Sequence, residues 1–184
     1  MRIYVCGAHS TGKTTLARHI AAHTGLPLLN EVARQVMAER EMTFEQVRAD
    51  LDAVNKYQRA VFQRQLETEE QTKGGFVSDR AFDNLAYAAR HSEILPELLA
   101  DPRIEEYFAT LRKSLVFFVR PHRSLLADDG IREASSWDEV MRIDGMIDFL
   151  LAWQCIPAIG ISELGLRNRL RSAMTAVNLY KRGL

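Results

Sequence analysis

Short apolar runs rich in β-branched and aromatic residues alternate along the chain with longer segments in which apolar residues recur every three or four positions. That alternation predicts an α/β fold built on a parallel sheet. Arg2–Cys6 reads as a strand that stops at Gly7. Lys13–Thr24 follows as a helix with Leu16, Ala17 and Ile20 on its buried side, and Gly25 supplies the stop. Leu26–Leu29 reads as a second strand and Glu31–Arg40 as a helix. Thr43-Phe-Glu-Gln46 has the form of a capping box and predicts a long, polar-rich helix running to about Thr72, with Lys73-Gly74-Gly75 ending it. Phe76–Ser78 is a strand leading into Asp79-Arg80, and Phe82–Arg90 is helical. Asp101-Pro102 places a cap and a first-turn proline ahead of a helix over Arg103–Arg112. Leu115–Val119 reads as a buried strand. Pro121–Ser135 is charged and without period, and reads as a mobile loop. Ser136-Trp-Asp-Glu139 is a second capping box, opening a helix to about Trp153. Cys155–Ile161 is the last strand and Leu164–Lys181 the last helix.

No repeat, low-complexity block or linker interrupts this order, so residues 1–184 are expected to form one domain. The composition agrees: of 184 residues, 47% are hydrophobic and 26% charged, enough to bury a core. Lys and Arg together number 24, as do Asp and Glu, giving a formal net charge of zero. A polybasic nucleic-acid binder is thereby disfavoured, although a small DNA contact stays open. No apolar run reaches the roughly eighteen residues needed to span a bilayer. The opening MRIYVCG enters a strand without a signal-peptide layout, so a cytoplasmic location is expected. The two cysteines, Cys6 and Cys155, lie in apolar runs and are expected to be small buried hydrophobes, with no clustered Cys–His ligands to hold a metal.

The strongest chemical signal is Gly7–Ala8–His9–Ser10–Thr11–Gly12–Lys13–Thr14, which fits G-x-x-x-x-G-K-[ST] at every fixed position. It also follows a strand and opens a helix, the context the motif requires. Gly7 and Gly12 permit backbone conformations that a side chain would block. The N–H groups of the loop can then turn inward as an anion cradle beside the positive end of the helix. Gly7, His9, Ser10, Thr11, Gly12, Lys13, Thr14 and Thr15 are the candidate triphosphate-binding residues. Lys13 would reach the β- and γ-phosphates, and Thr14 would offer its hydroxyl to Mg²⁺. ATP is the expected donor, with GTP undistinguished.

Phosphoryl transfer is positioning plus charge stabilisation, so a carboxylate, arginines and a water-excluding cover are needed besides. Asp79 ends a strand, at the sheet edge where ligands of open α/β folds sit, and Arg80 follows it. Asp79 is a candidate metal-organising acid, or the N-cap of the next helix. Glu31 stands just after the second strand and is either an acceptor-orienting base or a helix first-turn acid. Arg34, one turn on, either binds substrate or pairs with Glu31. Arg120, His122, Arg123, Asp128, Asp129 and Arg132 crowd the loop after the fourth strand and suit a lid, over about residues 121–135, that brings arginine to the phosphates. In the long helix, Phe62, Gln65 and Glu69 recur at helical spacing. They either line a base pocket or form an ordinary amphipathic face, and the second reading is the simpler.

GAHSTGKTTL, NEVAR, VSDRAFDNLAYAA and DDGIRE together resemble the P-loop kinases of the nicotinamide riboside kinase type, small proteins often described as AAA-type ATPases and frequent in phage genomes. The layout is similar to deoxynucleoside and thymidylate kinases as well. The resemblance implies a three-layer P-loop fold with a five-stranded parallel sheet in order 2-3-1-4-5, helices on both faces and a lid after the fourth strand. It implies Glu31 as base or ribose ligand, Asp79-Arg80 as an acid–Arg pair, and Asp83 near the nucleobase or sugar. The arginine-rich lid signature of deoxynucleoside kinases is not present in that form; Arg120, Arg123 and Arg132 stand in its place. Paired acids after a Walker B strand are lacking, as are a sensor-arginine region and the length for an AAA lid subdomain, all of which weakens a mechanical ATPase reading.

The sequence therefore predicts an ATP- and Mg²⁺-dependent kinase of a nucleoside-like small molecule. Lys13, Arg80, Arg123 and Arg132 would act on the phosphoryl group, Thr14 and Asp79 on the metal, and Glu31, Arg34, Asp83 and Gln65 on the acceptor. Two alternatives stay open: a kinase of nucleotides or of a modified base in DNA, and an ATP-dependent conformational switch.

Overall fold

The computed structural model describes residues 1–30, 32–39, 50–125 and 136–183, with the side chains of residues 34, 38 and 39 left aside. Its strands are β1 (Arg2–Cys6), β2 (Leu28–Leu29), β3 (Phe76–Ser78), β4 (Leu115–Val119) and β5 (Ala158–Ile161). They form one sheet in the order β2-β3-β1-β4-β5, every pair parallel. This is the order and sense that the sequence resemblance implied. The helices are α1 (Lys13–Thr24), α2 (Val32–Glu39), α3 (Leu51–Gln71), α4 (Asp83–His91), α5 (Leu95–Leu99), α6 (Ile104–Arg112), α7 (Trp137–Trp153) and α8 (Leu166–Lys181), with a 3₁₀ turn at Arg123–Leu125.

Strand alternation builds the two faces. Ile3 and Val5 of β1 join Leu115, Phe117 and Val119 of β4 on one side, packed on Leu16 and Ile20 of α1 and on Ala173 and Val177 of α8. Tyr4 and Cys6 point the other way with Val116 and Phe118, toward Phe62 and Leu66 of α3, Leu85 of α4 and Ile143 and Ile147 of α7. A strand buried on both faces has no polar alternation, which is why β1 and β4 read as continuous apolar runs. Each large apolar side chain so buried contributes about 1.5–3 kcal/mol of transfer free energy. A third, smaller cluster joins α2 to α3 through Val36, Met37, Val54, Tyr57 and Val61.

Local signals explain several helix ends. Gly12 (φ +85°) precedes α1, and Gly25 (φ +72°) closes it by donating its N–H to the Ala21 carbonyl. Ser136 caps α7 by accepting from the Glu139 N–H at 3.2 Å, as its capping box predicted. Over the described residues the long helix opens at Leu51, capped by Asp50, whose carboxylate accepts from the Asp52 and Ala53 amides. The capping box expected at Thr43–Gln46 lies outside the described residues.

Three local expectations change. Helix α5 was not foreseen, because five residues are too few to show a period. The last strand is shorter than Cys155–Ile161: the chain first turns through Cys155, whose φ is +51°. Cys155 is consequently exposed rather than buried, while Cys6 is buried as expected. Among the described residues no helix is long and apolar enough to cross a membrane.

Candidate phosphate-binding site

The C-terminal edge of the sheet gathers the candidate residues. β1 runs out through Cys6 into Gly7, and the loop to Gly12 turns back into α1. Gly7 sits at φ +148°, and a Cβ there would stand 2.5 Å from the Val119 carbonyl oxygen at the end of β4, so only glycine fits. Ser10 takes φ +58°, an uncommon value for a residue with a side chain. Lys13 is buried, and its ammonium donates to the Ala8 carbonyl at 2.6 Å; the Thr11 hydroxyl donates to the same oxygen at 2.9 Å. The backbone N–H groups of Ser10, Thr11 and Gly12 have no acceptor among the described residues. A run of uncommitted amides beside a lysine and a helix N-terminus is the physical requirement for holding phosphate. Thr14 is half-buried in the first turn of α1, and Thr15 beside it is exposed.

Not every loop amide faces the cradle. The Gly7 N–H donates to Asp83 Oδ2 at 3.0 Å, and the His9 N–H donates to the Tyr87 hydroxyl at 2.9 Å. The His9 ring also shares a hydrogen bond with that hydroxyl through Nδ1. Asp83 and Tyr87 are one turn apart on α4, so one helix face pins two points of the loop. This corrects the expectation that Asp83 approaches an acceptor. Its side chain is wholly buried and its second oxygen accepts from the Ala81 N–H at 3.2 Å. Burial pushes its carboxyl up in pKa, against the pull of Lys13, Arg80 and the two amides.

β3 delivers Asp79 next to this loop, one residue past the Tyr4–Ser78 register pair of β1 and β3. Asp79 does not cap a helix, because α4 begins only at Asp83 and has no side-chain cap. Its Oδ1 is buried without a hydrogen-bond partner among the described residues, a state that suits a cation or donor brought to it. Arg80 follows at φ +152°, strained for a residue with a Cβ, and its guanidinium lies over the Tyr87 ring at 5.6 Å. The donor types at this sheet edge, a buried carboxylate oxygen and the Thr14 hydroxyl in the first turn of α1, suit a hard oxygen-loving cation such as Mg²⁺. Among the described residues no group of three or more His, Cys, Asp or Glu is assembled for a metal.

Other candidates fare differently. Gln65 is buried and its amide donates to Glu69 Oε1 and, at 3.4 Å, to the Ser78 hydroxyl. Glu69 Oε2 in turn accepts from the Tyr4 hydroxyl at 2.5 Å. Gln65 is thus consumed by a core polar network rather than open to a base, which corrects its assignment to the acceptor. Arg123 is exposed on the 3₁₀ turn and lies over the Trp137 ring at 5.4 Å. Glu31 and Arg132 lie outside the described residues, as do the Arg34 side chain and most of the expected lid (126–135).

Arg120, expected to serve the lid, is held elsewhere, and a second residue, Tyr87, escaped the sequence reading. Arg120 spans from the Phe118 ring (4.4 Å) to Asp144 (2.7 Å) and Asp148 (3.5 Å), tying the end of β4 to α7. Burial holds the Asp144 carboxyl up at about 6, with Arg120 opposing. For Tyr87, its i,i+4 spacing from Asp83 was a usable signal.

Strand, glycine loop, lysine and helix in this arrangement, on a sheet ordered 2-3-1-4-5, define a P-loop nucleoside-triphosphate-binding fold. The chain belongs to the AAA domain family, whose model matches residues 2–162. No curated protein matches it significantly. Among solved structures it is similar to deoxyadenosine kinase from M. mycoides with products dCMP and dCDP, at 15% identity and TM-score 0.70, over 98% of this chain and 100% of that one. It is similar to NadR protein in complex with NR, at 21% identity and TM-score 0.69, over 97% of this chain but only 50% of NadR. Shikimate kinase from Acinetobacter baumannii in complex with shikimate aligns at 14% identity and TM-score 0.61, over 98% and 94% of the two chains.

Proposed function

We propose that this protein is an ATP- and Mg²⁺-dependent kinase of a nucleoside-like small molecule, with nicotinamide riboside or a nucleoside as acceptor. The observation that carries the reading is the pairing at one sheet edge of an amide cradle beside Lys13 with a buried Asp79 oxygen, neither of them committed to a partner among the described residues. The fold neighbours named above are kinases of small molecules, and that agrees with the reading.

In this mechanism the amides of Ser10, Thr11 and Gly12 take the phosphate oxygens. Lys13 leaves the Ala8 carbonyl for the β- and γ-phosphates, and Arg80 adds charge where negative charge develops. Thr14 and Asp79 would hold Mg²⁺, which when bound neutralises phosphate charge. The acceptor hydroxyl oxygen bonds to the γ-phosphorus as the bond to the bridging oxygen breaks and ADP departs. The hydroxyl proton passes to a carboxylate base, assigned to Glu31 from its place after β2. Arg123 and Arg132 would close over the phosphates from the lid.

The test is ADP release from Mg-ATP against nicotinamide riboside, ribo- and deoxynucleosides, their monophosphates, and DNA with and without hydroxymethylated bases. A large rate increase with one acceptor names the substrate. Slow release indifferent to every acceptor would count against the kinase and in favour of a nucleotide-driven switch.

A further inference from the structure

One buried cation beside the phosphate loop has no part in that mechanism. Arg169 of α8 is only 4% exposed, and 158 positions separate it from the loop residue it touches. Its Nη1 donates to the Thr11 carbonyl and its Nε to the Glu163 carbonyl, while Nη2 has no hydrogen-bond partner among the described residues. Glu163 is itself held, because the Ser172 hydroxyl donates to its Oε1. A Cβ on Gly12 would stand 3.0 Å from Nη1, so the guanidinium is packed directly against the second glycine of the loop.

The direction of these bonds matters. In a trans peptide the C=O and the next N–H point opposite ways. No peptide among the described residues is cis. Drawing the Thr11 carbonyl toward Arg169 therefore turns the Gly12 N–H away from it, to the other side of the loop. That N–H has no acceptor among the described residues. A rotated Thr11–Gly12 peptide would instead present a carbonyl to the anion.

We infer that Arg169 is a positioning residue for triphosphate binding: it bridges the Thr11 and Glu163 carbonyls and so fixes the Thr11–Gly12 peptide with its N–H toward the phosphates. The inference rests on the proposed reading of this loop as a triphosphate site. It does not depend on which acceptor is used. The planar guanidinium reaches two carbonyls at once, a geometry that an ammonium on a lysine stem does not reproduce.

Calorimetric titration with ATP, and separately with inorganic triphosphate, on the full chain tests it without any acceptor. Arg169→Ala is expected to weaken both ligands at least tenfold, with added guanidinium ion restoring part of the loss. Arg169→Lys, which keeps charge and stem and guards against a folding failure, is expected to stay weakened severalfold. Wild-type binding with either variant within twofold of it would overturn the inference and leave the kinase reading standing. A wild-type protein that binds neither ligand would overturn both.

Discussion

Gly7 and Asp83, 76 positions apart, are joined by a 3.0 Å hydrogen bond from the loop amide to a carboxylate with no solvent exposure. The first residue of the phosphate loop is thus held from below by the helix that follows β3. Asp83→Ala would strand the Gly7 and Ala81 amides in the interior. Each stranded buried donor costs about 1–3 kcal/mol. Urea unfolding should show a loss of about 3 kcal/mol, and ATP titration a weaker site. A variant with wild-type stability would remove Asp83 from this role.

Lys13 makes its contact within the loop, to Ala8. Lys13→Ala should leave the fold intact by circular dichroism while reducing phosphoryl transfer a hundredfold or more, the scale of a lost transition-state donor. Full activity in this variant would refute the site.

Gly7→Ala tests the loop geometry from the other side. The new methyl would meet the Val119 carbonyl at 2.5 Å on a backbone at φ +148°. The strain is on the order of 1–3 kcal/mol, and the loop must shift to relieve it. Lower thermal stability and lost nucleotide binding are expected together; a neutral substitution would show that β1 and β4 part more easily than their packing indicates.

The Tyr4–Glu69–Gln65 network predicts a pH dependence. Burial raises the Glu69 carboxyl from 4.5 to about 7. Between those values the folded protein holds a proton that the unfolded chain releases. This group therefore makes stability fall as pH rises from 4.5 to 7, by on the order of 3 kcal/mol in full. Glu69→Gln removes that contribution. Denaturation midpoints of the two proteins should draw together at pH 5 and diverge at pH 8 in favour of the variant; parallel pH profiles would place the proton elsewhere.

Much of the architecture was legible because its causes are local. β1 and β4 announce themselves as apolar runs, Gly25 as a stop, Ser136 as a cap, and the loop from Gly7 to Thr14 as a motif between a strand and a helix. The sheet order came from the family likeness, since nothing in a strand's own residues says which neighbour it takes. The site could be read for position at the loop and at Asp79, which stand where β1 and β3 end. It was misread at Asp83 and Gln65. A polar side chain on a helix looks the same in sequence whether it serves a ligand or, as here, an amide or carboxylate of the protein's own core. Arg169 gave no signal at all, because its partner lies at the opposite end of the chain and is a backbone carbonyl.

The unequal burial of the two thiols has a practical side. Cys6 is sealed in the core, where burial raises its thiol pKa and keeps it protonated. Cys155 stands in solvent just past the end of α7, on the edge of the sheet opposite the phosphate loop. A maleimide fluorophore would therefore attach at one point of the native chain. It would sit at the C-terminal end of α7, a built-in reporter for that helix that requires no engineered cysteine.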